Sequence, residues 1–250
     1  MFVADLDRPV IDDVDRHHLE RVLRLRIGER VTASDGRGGL RVCAFAAGGA
    51  LEPLGDVDLA ASPLSPSIGV GFALVKAVKP EWIVQKLTEL GVDRILPFTA
   101  ERSVVRWDES KAARNLDRLR RAAVEAAMQS RRRWLPQVEP VRPLARLTRE
   151  GTSGIALADA SGEPPSLEWP TVLVGPEGGW SDAERSAGSE RFVRFGSAVL
   201  RAETAAVTAG VLLSGLRESV ISPVKRREER SSSDFLSRNV GDSASNVEYC

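Results

Sequence analysis

A strand, a glycine-rich turn and a helix start follow one another between Thr171 and Glu184. Thr171-Val172-Leu173-Val174 is an apolar, β-branched run, Gly175-Pro176-Glu177-Gly178-Gly179-Trp180 follows it, and Ser181-Asp182-Ala183-Glu184 is a capping box. That order places bare backbone N–H and C=O groups outside the carboxyl end of a buried strand, where ligands of open α/β sheets bind. No Lys-Ser/Thr follows, so the loop is not a Walker cradle, and it is not G-x-G-x-x-G. Glu177 would repel phosphate and tolerate a cation. The plain alternative is a strand-to-helix turn with no ligand.

A second loop has the same character. Gly196 breaks the chain after Phe195, and Val199-Leu200-Arg201-Ala202-Glu203-Thr204-Ala205 leads into an apolar stretch. Glu203 and Thr204 at a helix start favour the dipole and can cap it. Arg201 is a permanent cation with a planar donor fork. The residues read either as a capping ion pair or as the second wall of one pocket shared with Gly175–Gly179.

Charge supplies the third signal. The 250 residues carry 35 basic and 35 acidic side chains, a net charge of +0. Yet Arg102 to Arg149 holds thirteen bases against five acids, a local surplus of eight. Arg131-Arg132-Arg133-Trp134 sets an aromatic beside a basic cluster, a pairing suited to phosphate contact and base stacking. The competing reading is a solvated helix face with Trp134 in the core. Arg21, Arg24, Arg26 and Arg30 form a weaker cluster. Two Cys (Cys43, Cys250) and two His (His17, His18) exclude a disulfide framework, a Cys-based zinc site and a multi-His centre. The longest apolar runs fall short of the ~20 residues that cross a bilayer, and no signal peptide opens the chain. Reducing cytosol is the expected compartment.

These groups need a scaffold. Asp15–Arg26 reads as one amphipathic helix, Glu29–Ser34 and Leu40–Ala46 as strands of a hairpin about an Asp-Gly turn, and Ser62–Pro66 as a linker. From Ile68 strands and helices alternate: strands at Ile68–Val75, Arg94–Phe98, Gly154–Asp159, Thr171–Val174 and Phe192–Phe195, helices at Glu81–Leu90, Ser110–Ser130 and Ala202–Arg217, with a shorter one ending at Thr148–Gly151. Such alternation predicts an α/β fold with a mostly parallel sheet covered by helices. The expected domains are 1–66, small and β-rich, and 67–222, with a Ser-rich, disordered tail at 223–250.

Several stretches together resemble one family. They are Val22-Leu23-Arg24 with the Asp-Gly turn, Leu74-Val75-Lys76 through Trp82, Gln85-Lys86 and Thr88-Glu89-Leu90-Gly91-Val92, then Leu173–Gly179 and Val199–Ala205, with Glu125–Ser130 as a helix motif. The chain is similar over about residues 1–220 to the bacterial small-subunit rRNA uridine-N3 methyltransferases, the RsmE family of the SPOUT superfamily. The resemblance implies a SPOUT-type knotted parallel-sheet methyltransferase domain, with a C-terminal trefoil knot, preceded by a small PUA-like β-barrel that binds RNA. It implies S-adenosyl-L-methionine as methyl donor, 16S rRNA or the small ribosomal subunit as partner, and a homodimer.

Carried over residue by residue, the cofactor pocket comprises Leu157, Ala158, Leu173, Val174, Gly175, Pro176, Glu177, Gly178, Gly179, Gly196, Val199, Leu200, Thr204 and Ala205, with Asp159 ending the third wall. Arg201 is the candidate electrostatic stabiliser, and Glu203 its orienter or the base. Charge and resemblance together nominate Arg24, Lys76, Lys86, Arg102, Arg106, Gln129, Arg131 and Arg132 for RNA contact. Pro80, Trp180 and Met128 depart mildly from the family pattern. A different RNA position, or a non-catalytic rRNA-binding protein, are the alternatives. The intact glycine loops and Arg201 weigh against the second.

Overall fold

The computed structural model describes residues 1–60, 62–75, 79–149, 154–188 and 191–222. Lys76 and the tail 223–250 lie outside the described residues. Two sheets organise the chain: an antiparallel one in order β1-β2-β3, and a parallel one in order β10-β8-β9-β4-β5-β6 with β7 also beside β5. The parallel sheet consists of β4 (Gly69–Ala73), β5 (Arg94–Thr99), β6 (Gln137–Val138), β7 (Arg142–Pro143), β8 (Ile155–Glu163), β9 (Thr171–Val174) and β10 (Phe192–Val193). Every residue of β4 and β9 is buried. Strands buried on both faces read as continuous apolar runs, which is why alternation is missing from these segments.

Side chains alternate through the sheet. Val70, Phe72, Val172 and Val174 pack with α2 (Pro80–Glu89), α3 (Glu109–Gln129) and α6 (Ala202–Arg217). Leu96, Phe98, Leu157 and Leu173 pack on the other side with Leu144 and Leu147 of α4 (Leu144–Arg149). Pro80 occupies the first turn of α2, where its missing N–H costs nothing, and the Asp108 carboxylate caps α3 by accepting the Lys111 amide at 2.7 Å. At Gly162 an added Cβ would lie 2.3 Å from the backbone of Phe192, so glycine is what lets β10 sit beside β8.

The small sheet pairs β1 (Arg30–Ser34) with β2 (Gly39–Phe45) and β2 with β3 (Leu51–Leu59). Asp35 makes its turn by accepting the amides of Arg37 (2.7 Å) and Gly39 (2.9 Å). Phe2 adds a parallel bridge to Ser34. The helix expected over Asp15–Arg26 is shorter and earlier: α1 covers Asp13–His17 and runs into a π turn, His18–Val22. Leu19 is buried, but Val22 and Leu23 are exposed, so the expected apolar face has no core to meet.

The two sheets are joined by the stretch expected to meet RNA. The Trp134 ring sits against Gly38, where a Cβ would be 2.5 Å from it, and the backbones of Trp134 and Arg37 form a bridge. Arg133 donates to Asp58 at 2.5 Å. Arg132 turns inward, donating to the carbonyls of Thr88 and Val92, both at 2.9 Å, and pairing with Asp93. The expectation of Arg132 as an RNA contact is corrected here: an almost buried guanidinium spends its donors on α2's end. Asp93 also accepts from the Ile68 amide at 2.9 Å and pairs with Arg217, whose side chain is 2% exposed. One carboxylate thus ties the ends of α2, α3 and α6 to the start of the sheet.

Candidate active site

The middle of β8 and the loops after β9 and β10, three neighbouring strands, line a cavity of about 420 Å³. Ala158, Asp159 and Ala160 form one wall; Val174, Gly175, Pro176, Glu177, Gly179 and Trp180 form the second. Phe195, Gly196, Ala198, Val199, Leu200, Arg201, Ala202 and Ala205 form the third. The two glycine loops, more than fifteen residues apart, therefore face one space. Gly179 at φ +68 and Gly196 at φ +152 adopt conformations other residues rarely take, and both are open on the Cβ side.

Most of the residues expected at the cofactor lie on this lining. Leu157 and Leu173 do not; both are wholly buried in the core on the α4 side of the sheet. Gly178 is exposed on the far side of its loop, where its carbonyl accepts from Arg102 at 3.0 Å. Thr204 is also exposed and off the lining.

Arg201 stands at the N-cap of α6 on the cavity rim; its carbonyl accepts from the Ala205 amide at 2.8 Å, while its exposed side chain makes no capping hydrogen bond. Glu203 is not on the lining and makes no ion pair with Arg201 among the described residues. The expected orienting pair is thus not formed. Ala202 and Ala205 face the cavity, and helical rotation of about 100° per residue carries Glu203 away from it. Its carboxylate remains in the first turn, where the dipole favours it.

The lining also holds residues that the sequence does not nominate, Trp180, Arg194 and Phe195 among them. Trp180 stands out in the sequence only as a departure from the family pattern. Its indole N–H donates to the Ala158 carbonyl at 2.9 Å, and its ring stacks on Phe98, which fixes the second wall to the first. Arg194 and Phe195 line the pocket beyond the end of β10. For Phe195 the sequence signal is an aromatic beside Gly196; Arg194 has none. Asp159 brings a negative charge to the first wall of the pocket. Burial pushes its carboxyl up, but the Ser161 hydroxyl (2.6 Å), the Ser161 amide (3.0 Å) and Arg185 outweigh that and hold it below the ordinary carboxylate range.

The bases expected at RNA divide into two groups. Arg24, Arg106 and Arg131 are exposed, Arg102 is exposed while holding Gly178, and Lys86 is half-buried and paired with Glu89 at 2.7 Å. Gln129 is exposed beside α2. On α3 the spacing of Lys111, Arg114, Arg118 and Arg121 sets four exposed bases along one stripe.

Two family models match: an RNA methyltransferase domain over residues 62–214 and an RNA methyltransferase PUA domain over residues 11–50. A Mycobacterium bovis protein named ribosomal RNA small subunit methyltransferase E is 33% identical over 230 residues, covering 82% of this chain and 87% of the relative. The chain belongs to the ribosomal RNA small subunit methyltransferase E family. A Synechocystis member is 32% identical, over 81% of this chain and 71% of its own length. Among solved structures, the member from Neisseria gonorrhoeae bound to S-adenosyl methionine is 26% identical with TM-score 0.74, covering 86% of this chain and 96% of its own. The family's parallel-sheet α/β fold and PUA-like N-terminal part are those described above. Among the described residues no helix is long and apolar enough to cross a membrane, and no His/Cys/Asp/Glu group could hold a metal ion.

Proposed function

We propose that this chain transfers a methyl group from S-adenosyl-L-methionine to N3 of a uridine in 16S rRNA. The observation that carries this reading is the 420 Å³ cavity between the two glycine loops with the Arg201 guanidinium, unpaired among the described residues, on its rim. The lining suits the donor. Bare backbone at Gly175, Gly179 and Gly196 and the apolar side chains of Trp180, Phe195 and Leu200 fit a flat heteroaromatic ring. Asp159 and Glu177 suit a cationic ligand.

When bound, S-adenosyl-L-methionine supplies an electrophilic methyl on a cationic sulfur. The chain supplies position and charge. Uridine N3 bears a proton at neutral pH, and as that proton passes to solvent at the open rim, negative charge develops on O2 and O4. Arg201, preorganised at a helix N-cap, is placed to balance it. The walls exclude water and hold the reactants together, which accounts for much of the acceleration in a bimolecular transfer.

The remaining readings belong to the same proposal. Residues 1–66 form the RNA-binding domain and 67–222 the catalytic one, with the crossing of the two loops forming the trefoil knot. A second copy covers Val199, 98% exposed, and Val211 of α6, 47% exposed, giving a homodimer. The enzyme works in the cytoplasm on rRNA, free or in the small subunit.

The test is nucleoside analysis of 16S rRNA from a strain lacking the gene, repeated with purified enzyme and labelled donor. Loss of N3-methyluridine and its restoration in vitro are expected; an unchanged nucleoside profile refutes the reading. Binding to 16S rRNA fragments should weaken steeply with salt. The α3 stripe alone predicts a log–log slope of about −3 or steeper, given roughly −0.7 to −0.9 per neutralised phosphate. A flat salt response in a filter-binding titration would count against a phosphate-tracking surface.

A further inference from the structure

Two stretches singled out in the sequence, one through Trp82 and Gln85 and one over Glu125–Gln129, take no part in the cofactor cavity. They meet each other instead, at a groove of about 360 Å³ between α2 and α3. Trp82 is 42% exposed there, an unusual placement for the largest apolar side chain on a helix. Around it stand Gln85 and Gln129, both exposed, with Glu81 and Glu125, over a floor of Ala122 and Ala126. No hydrogen bond within the described residues uses the Trp82 indole N–H, either carboxamide or the Glu125 carboxylate.

The chemistry of this set selects its occupant. An exposed indole offers a stacking face, and carboxamides offer paired donors and acceptors that match base edges. Glu81 and Glu125 outnumber Lys79, a cation on the same lining, and disfavour a phosphate in the groove, while a carboxylate accepts from the N–H donors on a base's pairing edge. Phosphates are served from outside. Lys111, Arg114, Arg118 and Arg121 lie along the same stripe of α3 as Ala122, Glu125 and Gln129, so the basic track leads into the groove. Pro80 opens α2 just past the carboxyl end of β4. That strand is the neighbour of β9, whose carboxyl end carries the glycine loop. Groove and cavity therefore begin at the same edge of the sheet.

The geometry points to the α2–α3 groove as a nucleobase-binding site. It takes an unpaired base of the substrate RNA other than the methylated uridine, stacked on Trp82 and read by Gln85, Glu125 and Gln129. Guanine, with two adjacent N–H donors on its pairing edge, fits Glu125 best and uracil least. This inference rests on the reading of RNA as substrate. It adds a second recognition point that fixes which uridine reaches the cavity.

The test uses the full chain and two fluorescein-labelled single-stranded probes, UUUGUUU and UUUUUUU, by fluorescence anisotropy. Cofactor calorimetry and light scattering are run on the same samples. Wild type should prefer the guanosine probe. Trp82→Ala should weaken its binding about 5- to 150-fold, the range for loss of one stacked base, while Trp82→Phe stays within about threefold of wild type. Glu125→Gln should narrow the gap between the probes. Cofactor affinity and molecular mass should not change in any variant. Unchanged RNA affinity in Trp82→Ala overturns the inference. So does a fall in mass, which would make the groove a contact between copies. Methylation of 16S rRNA by wild type is scored separately: if it occurs while the groove variants bind normally, only the groove assignment fails.

Discussion

Replacing Arg201 with alanine should lower the methyl-transfer rate about 10²–10³-fold while leaving donor affinity within about twofold. That range is the cost of removing one preorganised donor from a site where charge develops in the transition state. Arg201 lies on the rim, its N-cap backbone is extended, and its guanidinium has no helix partner to lose. Its removal leaves no buried charge uncompensated and no core void. Arg201→Lys keeps the charge but not the planar fork, and should fall between the two. Single-turnover methylation with saturating donor measures the rate, and calorimetry measures the affinity. A near-wild-type rate for Arg201→Ala with normal donor binding would remove Arg201 from the chemistry. Glu203→Gln should change the rate little, because the structure turns Glu203 away from the cavity.

The second large effect concerns stability. Asp93→Ala should destabilise the fold by about 3–5 kcal/mol, the usual cost of stripping one partner from a buried ion pair. Arg217, with its side chain 2% exposed, would lose its carboxylate, and Arg132 would lose a second contact. The Arg217 Nε already has no partner, so the site has no slack with which to compensate. Asp93→Asn keeps an acceptor for the Ile68 amide and should cost less. At roughly 2–4 °C per kcal/mol for a chain of this size, the alanine variant should melt about 10 °C below wild type by calorimetry. A shift under 2 °C would show that the three charges do not act as a unit. The consequence reaches the active site, because the helix that ends at Arg217 begins beside Arg201.

The parallel sheet and the cavity were largely legible in the sequence, for local reasons. Thr171–Val174 and Gly69–Ala73 are continuous apolar runs bounded by turns, and such runs in α/β alternation have few other homes. Glycine at 175, 179 and 196 marks backbone that must approach something closely or take a positive φ. What failed to show was anything set by a partner distant in sequence. The two-residue strands β6 and β7 have no periodicity to find, and only pairing with β5 defines them. Glu203 looked like Arg201's companion because it stands two residues away, a spacing that places side chains on different sides of a helix.

The arginines show the division most clearly. Composition determined that residues 102–149 carry a surplus of eight positive charges and that a zero total conceals it. Three consecutive arginines then meet three fates. Arg131 is exposed, Arg132 is drawn into the ends of α2 and β5, and Arg133 reaches across to Asp58 of the small sheet. A sequence gives each arginine the same charge and length. Whether that charge faces solvent or is desolvated depends on which carbonyls and carboxylates the fold brings within about 3 Å, and those come from residues 39 to 75 positions away. The chain by itself determined the kind of fold, the glycine loops and the basic helix. Tertiary structure alone decided which charges remain for RNA, which hold the molecule together, and that Trp82 stays in the open beside them.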